Sequence, residues 1–341
     1  MTWWLACTRL LRRSCACACS GESMHEFTML ERIYALNPQL PASVVLPPGD
    51  DMAMVSCNQS GEILVAADSA IEGRHTPMGC DPYLIGRKAV LRNLSDVAAM
   101  GNARPIAIVA CATLPASIDS ARAWRLFEGL RETAALWNAP LVGGDTAMLS
   151  SNVLHAPIMV SVTILAVKQV LSHAVITRAG ACIGDGVYVT GTIGGAWDAA
   201  TGLGRHLDFT PRIEAAHALC AALNTRLHAM IDVSDGLGRD LGHIARASHC
   251  DLEIDLARVP VSVGVSPLEA IAHGEDYELA FTAIGEVPTS IAGVAVTRIG
   301  TVVAGNGRVM MRDGPASFDA SRMGYEHASP TNDDPQARAK S

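Results

Sequence analysis

The stretch that decides the fold spans residues 86–105 and reads GRKAVLRNLSDVAAMGNARP. Residues spaced three or four apart form one apolar face, which consists of Val90, Leu94, Val97 and Gly101. This periodicity predicts an α-helix. The glycine at 101 marks the end of the helix, and Pro105 prevents it from restarting. The apolar run at residues 106–111 then predicts a buried strand directly after the helix.

One carboxylate, Asp96, lies among the small and apolar residues of this helix. Burying such a charge is costly unless a cation or hydrogen bonds meet it. A solvated helix face or a salt bridge with Arg92 would account for it, and so would a cation brought by other parts of the chain. The helix alone leaves these alternatives open.

The composition excludes some functions and restricts others. The 341 residues are 49% hydrophobic and 18% charged, which is enough for two domains with real cores. The formal net charge of −8 argues against nucleic acid as a partner, because binding a nucleic-acid backbone needs a basic surface. Lysine occurs only at positions 88, 168 and 340, and no G-x-x-x-x-G-K-[ST] loop is present. Phosphate chemistry would therefore rely on arginine and metal ions.

The cysteines and the first residues of the chain indicate the cellular compartment. Four of the ten cysteines lie in the first nineteen residues, and none of the ten has C-x-x-C spacing, so the pattern is not a disulfide framework. The arginines of this segment follow its apolar residues, which is the wrong order for a secretory signal. No apolar run reaches the roughly 18 residues that a membrane span needs. We expect a cytoplasmic protein without a membrane partner, in which residues 1–23 are a disordered or misassigned leader.

Several acids stand at the ends of predicted strands or in the turns before them. They are Asp51 before a strand at 52–55, Asp68 after a strand at 62–67, and Asp145 after a strand at 141–144. Carboxylates from separate strand ends and from the Asp96 helix are typical ligands of Mg²⁺, which shares them with phosphate oxygens and water. Such ions would neutralise a polyphosphate where lysines are few. Ordinary turns and helix caps remain the alternative.

The second half contains a glycine turn, GTIGG at residues 191–195, between a predicted strand at 187–190 and a predicted helix from residue 196. This order can present backbone N–H groups to an anion. Tight packing of a helix on a strand explains the glycines equally well.

Paired acids end another apolar run, MIDVSDGL at residues 230–237. Ser234 or Asp235 is expected to cap a helix that extends to residue 247, and capping uses only one of them. Farther on, HGEDYEL at residues 273–279 forms an acidic turn before a predicted strand at 279–283.

Four segments carry a resemblance when they are taken in order: NLSDVAAMG at 93–101, GGDT at 143–146, IDVSDG at 231–236 and GEDYEL at 274–279. They resemble the thiamine-monophosphate kinase family of the aminoimidazole-ribonucleotide-synthetase superfamily. The closing GYEH at 324–327 is similar to the end of that family's sequences. The resemblance extends from about residue 24 to residue 327, and it is specific because independent motifs agree in order and spacing.

The resemblance implies a two-domain α/β (α+β) fold. We expect an N-terminal domain at residues 24–167 with a mixed sheet, which binds ATP and Mg²⁺ and forms a homodimer. A C-terminal α/β domain at residues 168–328 would complete the nucleotide and substrate site, and residues 329–341 would be a disordered tail. The implied activity is Mg²⁺-assisted, in-line transfer of the γ-phosphate of ATP to thiamine monophosphate, giving thiamine diphosphate.

The resemblance also assigns site residues by their positions in the matching motifs. The magnesium ligands are Asp51, Asp68, Asp96, Asp145, Asp232 and Asp235. The ATP contacts are Gly144, Asp145, Arg178 and Ser234, and the thiamine-phosphate contacts are His75, Glu275 and Tyr325. The catalytic role falls on Asp96, Asp145 and Asp235, which hold metal against phosphate rather than act as a general base. This agrees with phosphoryl transfer between two polyanions, which depends on cations and positioning.

The chain departs from the family at Ala66-Ala67, where a Ser-Thr pair is expected before Asp68. A hydroxyl that supports a metal ion is therefore absent. The alternatives to the kinase are another ATP-dependent ligase or synthetase of the superfamily, and a catalytically silent homologue that binds nucleotide or thiamine phosphate.

Overall fold

The computed structural model describes residues 40–326 apart from 48, 58–60, 154–155 and 199. The expected leader at 1–23 and the expected tail at 329–341 lie outside the described residues. Among the described residues, no helix is both long enough and apolar enough to cross a bilayer.

The first half forms a six-stranded sheet with two helices. Its strands are β1 (Val44–Leu46), β2 (Ala53–Ser56), β3 (Glu62–Ile71), β4 (Ala103–Leu114), β5 (Leu141–Met148) and β6 (Met159–Lys168), and its helices are α1 (Pro82–Ala99) and α2 (Ser120–Leu136). The strand order is β1-β2-β3-β6-β4-β5. Neighbouring strands are antiparallel except for β4 and β5, which are parallel and are joined through α2.

The second half forms an eight-stranded sheet. Its strands are β7 (Gly186–Thr190), β8 (Leu227–Asp232), β9 (Cys250–Asp255), β10 (Leu279–Ala283), β11 (Ser290–Ile291), β12 (Val294–Ala304), β13 (Val309–Asp313) and β14 (Ala316–Asp319), and its helices are α3 (Ile213–Leu223), α4 (Leu237–Ala247) and α5 (Pro267–Ala270). The order is β14-β13-β9-β12-β7-β10-β8, with β11 paired to β12. The two-sheet α/β architecture agrees with the fold class expected from sequence.

The helix α1 is the element that brings the two halves together. It begins after Asp81, whose carboxylate accepts a hydrogen bond from the Tyr83 N–H, and it ends just before Gly101, which has a φ of 64°. It crosses α2 closely, since a Cβ at Gly86 would lie 2.3 Å from the Leu126 carbonyl oxygen. Its buried face packs on β3 and β6 of the first sheet and on α3 and β8 of the second half. This packing sets the position of Asp96 next to the end of β8.

Two predicted strand ends are wrong because the strands continue through their acids. β3 pairs with β6 as far as Ile71, so Asp68 lies opposite Val162 inside the strand. β5 pairs with β4 as far as Met148, so Asp145 lies opposite Cys111. Hydrogen bonding to the neighbouring strand, which the sequence pattern does not reveal, extends both elements.

The helix expected from residue 196 is also wrong for the residues described there. A short 3₁₀ helix, Arg205–Leu207, comes first, and α3 begins only at Ile213. The Gly194 backbone is left-handed, with a φ of 79°, and its N–H donates to Asp276 Oδ2 at 2.8 Å. The turn is therefore held by a hydrogen bond from this N–H to a side chain, and no helix begins here.

Candidate active site

Three carboxylates from distant parts of the chain meet at one place, which we call the acid cluster: Asp51, Asp96 and Asp232. Asp51 lies in the turn before β2, Asp96 in the last turn of α1, and Asp232 at the end of β8. One oxygen from each of them lies within 4.8 Å of the others. Asp51 and Asp232 are buried and Asp96 is half-buried. The structure therefore brings together three of the six aspartates that the resemblance assigns to magnesium.

The acid cluster is electrostatically strained. Burial raises the pKa of Asp96 well above 3.8, and the charges of Asp68, Asp232 and Asp51 raise it further. Burial and the charge of Asp51 raise the pKa of Asp232 to about 7, against the opposing effects of Ser95 and Arg178. Hard oxygen donors that converge from three elements and repel one another match the ligand preference of Mg²⁺. The residues present therefore fit a magnesium ion.

Arg178 contributes the positive charge beside Asp51. Its Nη2 donates to Asp51 Oδ1 at 2.8 Å and its Nε donates to Asp51 Oδ2 at 3.3 Å. Its backbone N–H donates to Asp50 Oδ2 at 3.0 Å. Burial and the Asp51 charge raise the pKa of Asp50 to about 6. Arg178, expected to contact ATP, is thus anchored to the turn that carries Asp51.

Asp68 lies near the acid cluster but has its own cation. Its Oδ2 accepts a hydrogen bond from Arg92 Nε at 2.9 Å, and Arg92 also donates to the Ser69 carbonyl at 3.0 Å. The salt bridge that Arg92 could have made with Asp96 is made with Asp68 instead.

Gly144 and Asp145 lie on β5, an exposed edge strand, and outside the acid cluster. They line a groove of about 380 Å³ together with Phe127 and Thr146. Only glycine fits at 144, because a Cβ there would lie 1.8 Å from the Ala110 carbonyl oxygen. The structure does not bring the Asp145 carboxylate to the other three, and its role as a metal ligand stays a prediction.

The loop after β8 carries Ser234 and Asp235 and is held by a residue that the sequence analysis missed. Neither side chain caps α4, whose N-cap is Gly236. Instead the buried Asp240 reaches back, and its Oδ2 accepts hydrogen bonds from the N–H groups of Asp235 and Gly236, both at 3.0 Å. The expected capping by Ser234 or Asp235 is therefore wrong, because a carboxylate in the first turn of the helix takes over these donors.

The three residues expected to hold thiamine phosphate lie in the segments around this loop. The Glu275 N–H donates to the Ser234 carbonyl at 2.7 Å, and the Tyr325 N–H donates to the Asp235 carbonyl at 2.8 Å. The Arg74 guanidinium lies over the Tyr325 ring, 4.6 Å from its centroid. Arg74 directly precedes the buried His75 in the sequence.

Lys88, His206 and Ser95 contact the candidate site residues although the sequence analysis did not select them. Lys88 is fully buried and bonds to Glu275 and His206. Ser95 Oγ donates to Asp232 Oδ2 at 2.6 Å. The scarcity of lysine was the one signal that could have drawn attention to Lys88.

Comparison with protein families gives two matches that together cover most of the chain. Residues 49–167 match the AIR synthase related protein, N-terminal domain. Residues 183–312 match the AIR synthase related protein, C-terminal domain. The two matches contain the first and the second sheet, apart from β1, β14 and the last residue of β6 and of β13.

Individual relatives are similar over nearly the same length. Thiamine-monophosphate kinase of Escherichia coli (strain K12) is 34% identical over 337 residues, which cover 89% of this chain and 98% of the relative. The enzyme of the same name from Haemophilus influenzae is 34% identical over 286 residues, which cover 76% and 82%. The solved structure of AaThiL complexed with AMPPCP and TMP has a TM-score of 0.69 at 25% identity and covers 86% of this chain and 96% of that one. The chain therefore belongs to the thiamine-monophosphate kinase family of AIR synthase related proteins.

Proposed function

We propose that this protein phosphorylates thiamine monophosphate to thiamine diphosphate with ATP as the phosphoryl donor. The observation that carries the proposal is the acid cluster, in which Asp51, Asp96 and Asp232 meet with raised pKa values for Asp96 and Asp232. Three converging carboxylates suit a site where cations bind polyphosphate. The names of the E. coli and H. influenzae relatives, and the AMPPCP and TMP bound to AaThiL, support the same reaction and substrates.

The acid cluster is the proposed binding place for Mg²⁺, with Asp68, Asp145 and Asp235 as further proposed ligands. Bound there, Mg²⁺ would neutralise the charge on the phosphates during the transfer. The residues of the chain hold the reactants: Arg178 stands beside Asp51 at the proposed nucleotide site, and Ser95 orients the Asp232 carboxylate through its hydrogen bond. Gly144 and Ser234 complete the proposed ATP contacts. No protein nucleophile is required, because the substrate phosphate attacks the γ-phosphate directly.

Thiamine monophosphate is proposed to bind between His75, Glu275 and Tyr325. Burial raises the pKa of Glu275, but His206, Lys88 and Arg92 together outweigh burial and hold it at about 2. Glu275 is therefore an anion that accepts hydrogen bonds and attracts the cationic thiamine group.

We further propose a cytoplasmic homodimer with an N-terminal domain at residues 24–167 and a C-terminal domain at 168–328. The exposed edge strand β5, with Val142 and Met148 exposed at 63% and 57%, supports pairing with a second copy. Sedimentation at micromolar concentration tests this proposal, and a monomer would contradict it.

One assay tests the function directly. Purified protein is incubated with ATP, Mg²⁺ and thiamine monophosphate, and the products are separated by chromatography. We expect thiamine diphosphate and ADP in equal amounts. Turnover of a formylated aminoimidazole precursor instead would indicate a synthetase, and nucleotide binding without turnover would indicate a silent homologue.

A further inference from the structure

Lys88 is a lysine of α1 whose side chain is fully buried. Its ammonium group donates to the His75 carbonyl oxygen at 2.6 Å, contacts His206 Nδ1 at 2.6 Å, and forms an ion pair with Glu275 Oε2. An ammonium group has three N–H donors, and these three acceptors account for all of them. The site is therefore shaped for a charged lysine.

The three acceptors come from segments that are far apart in the chain. His75 lies between β3 and α1, His206 in the 3₁₀ helix before α3, and Glu275 in the segment before β10. His75 and Glu275 are two of the three residues proposed to contact thiamine monophosphate. The buried Lys88 side chain thus connects His75, from the first half of the fold, with Glu275, from the second half.

The ring of His206 connects Lys88 to further residues of the second half. Its Nε2 lies 3.1 Å from the Gly202 carbonyl oxygen and donates to it, because a carbonyl oxygen only accepts, and Nδ1 on the other side of the ring faces Lys88. The ring stacks on Trp197 with 4.4 Å between centroids, and the Lys88 ammonium lies 5.5 Å from the centroid of the same indole. Trp197 therefore packs against two members of the same group, Lys88 and His206.

Glu275 needs such support because its backbone is strained. It has a φ of 69°, in the left-handed region that non-glycine residues seldom adopt. Its N–H donates to the Ser234 carbonyl oxygen, and its Oε2 is held by the Lys88 ammonium group. Among the described residues, Glu275 Oε1 has no hydrogen-bond partner, and the side chain is 19% exposed. The carboxylate thus presents one free oxygen to a ligand.

We propose that Lys88 is a positioning residue for thiamine monophosphate, which acts by fixing the Glu275 carboxylate and the His75 segment in the orientation that receives the thiamine group. This inference rests on the proposed function. In this proposal Lys88 acts through these two residues and not on the reacting phosphates. Its loss should therefore weaken binding of thiamine monophosphate and leave binding of ATP unchanged.

The test compares Lys88→Met, which keeps the apolar stem and removes the charge, with the wild type. We expect the KM for thiamine monophosphate to rise about tenfold or more, because one partner of a buried charge pair is lost. The KM for ATP should change less than about twofold. The matched control is Lys168→Met, which removes a lysine paired with Glu62 at the end of β6, and it should change neither value.

A double-mutant cycle with Glu275→Gln separates positioning from a purely structural role. If Lys88 acts through Glu275, Lys88→Met adds little to the KM change when Glu275→Gln is already present. The double variant leaves no buried charge without its partner, so it also carries the test if Lys88→Met alone does not fold. In that case its KM for thiamine monophosphate should equal that of Glu275→Gln.

Each outcome decides one claim. A wild type that does not phosphorylate thiamine monophosphate contradicts the proposed function. An active wild type whose KM for thiamine monophosphate is unchanged in folded Lys88→Met contradicts the role of Lys88. Equal increases in the KM of both substrates, or additive effects in the cycle, assign Lys88 to structure alone and contradict it as well.

Discussion

Two groups of buried charge lie along α1 and are built in opposite ways. The acid cluster contains Asp51, Asp96 and Asp232, and burial and mutual repulsion raise the pKa values of Asp96 and Asp232. In the second group, Lys88, Glu275 and His206 satisfy one another, and the pKa of Glu275 falls to about 2. The second group is complete within the protein. In the first, Arg178 offsets part of the repulsion, and protons or a cation from outside must offset the rest, as expected for a site that binds metal.

The helix gives the two groups a fixed separation. Lys88 and Asp96 are eight residues apart in α1, which corresponds to about 12 Å along the helix axis. The proposed thiamine end and the proposed phosphate end of the site are therefore held by one rigid element. Changes in the two groups should affect different steps of the reaction.

The largest effect is expected from loss of charge at the proposed magnesium ligands. Asp96→Asn and Asp145→Asn should each lower kcat by about 100-fold or more, since both carboxylates are proposed to hold metal against phosphate. Steady-state assays at saturating Mg²⁺ measure this. Asp208→Asn, at an exposed aspartate paired with Arg87, is the control and should keep full activity. Near-native turnover in Asp96→Asn would contradict the metal assignment of the acid cluster.

A second expected effect concerns stability: the charge of Asp232 should destabilise the metal-free protein, so its removal should be stabilising. The pKa of Asp232 is 3.8 unperturbed and about 7 in the folded protein, so the folded state holds a proton that the unfolded state has released between these values. The metal-free protein therefore loses stability as pH rises from about 4 to 7, by at most about 4 kcal/mol. Asp232→Asn, which cannot ionise, should raise the metal-free Tm at pH 8 and change it little at pH 4.

Thermal denaturation in the presence of a chelator measures the change in stability. The same measurement with Mg²⁺ tests whether a cation removes the destabilising effect of the Asp232 charge. Magnesium should raise the Tm of the wild type at pH 8 more than that of Asp232→Asn. A lower Tm of Asp232→Asn in chelator at pH 8 would mean that the carboxylate stabilises the fold, as the Lys88 group does, and the contrast between the two groups would fail.

The local secondary structure could be predicted in part from sequence. The strand at residues 279–283 was expected with the bounds that the structure has, and the end of α1 followed from Gly101. Periodicity and turn residues report on neighbours in the chain. Asp51 and Asp96 were also selected, from their places in a turn and on a helix, whereas Asp232 was assigned to magnesium only by its resemblance to a family motif.

The contacts that explain the site could not be predicted in this way. Lys88 and Glu275 are 187 residues apart, and Ser95 and Asp232 are 137 residues apart. No periodic pattern connects such positions, because their proximity depends on how α1 packs between the two sheets. The same reason explains why Asp68 and Asp145 were placed at strand ends: the neighbouring strands that extend β3 and β5 are β6 and β4.

The smallest effect concerns the alanine pair before Asp68. Ala67 lies on β3 opposite Thr163. At position 67 the family resemblance leads us to expect a residue with a hydroxyl group. Ala67→Thr should lower the Mg²⁺ concentration for half-maximal activity a few-fold, because a protein oxygen replaces a water ligand. Unchanged half-saturation together with unchanged Tm would show that the alanines serve packing and would remove the coordination role.

The central claim is that the acid cluster acts through an added cation whereas the Lys88 group acts on thiamine monophosphate, and one experiment tests it most directly. Thiamine diphosphate formation is measured over a Mg²⁺ titration at several concentrations of thiamine monophosphate, for the wild type, Asp96→Asn and Lys88→Met. The account predicts that the wild type requires Mg²⁺, that Asp96→Asn loses turnover at every Mg²⁺ concentration, and that Lys88→Met keeps the wild-type Mg²⁺ dependence with a raised KM for thiamine monophosphate. Activity of the wild type without a divalent cation, or Asp96→Asn with native turnover, would contradict it.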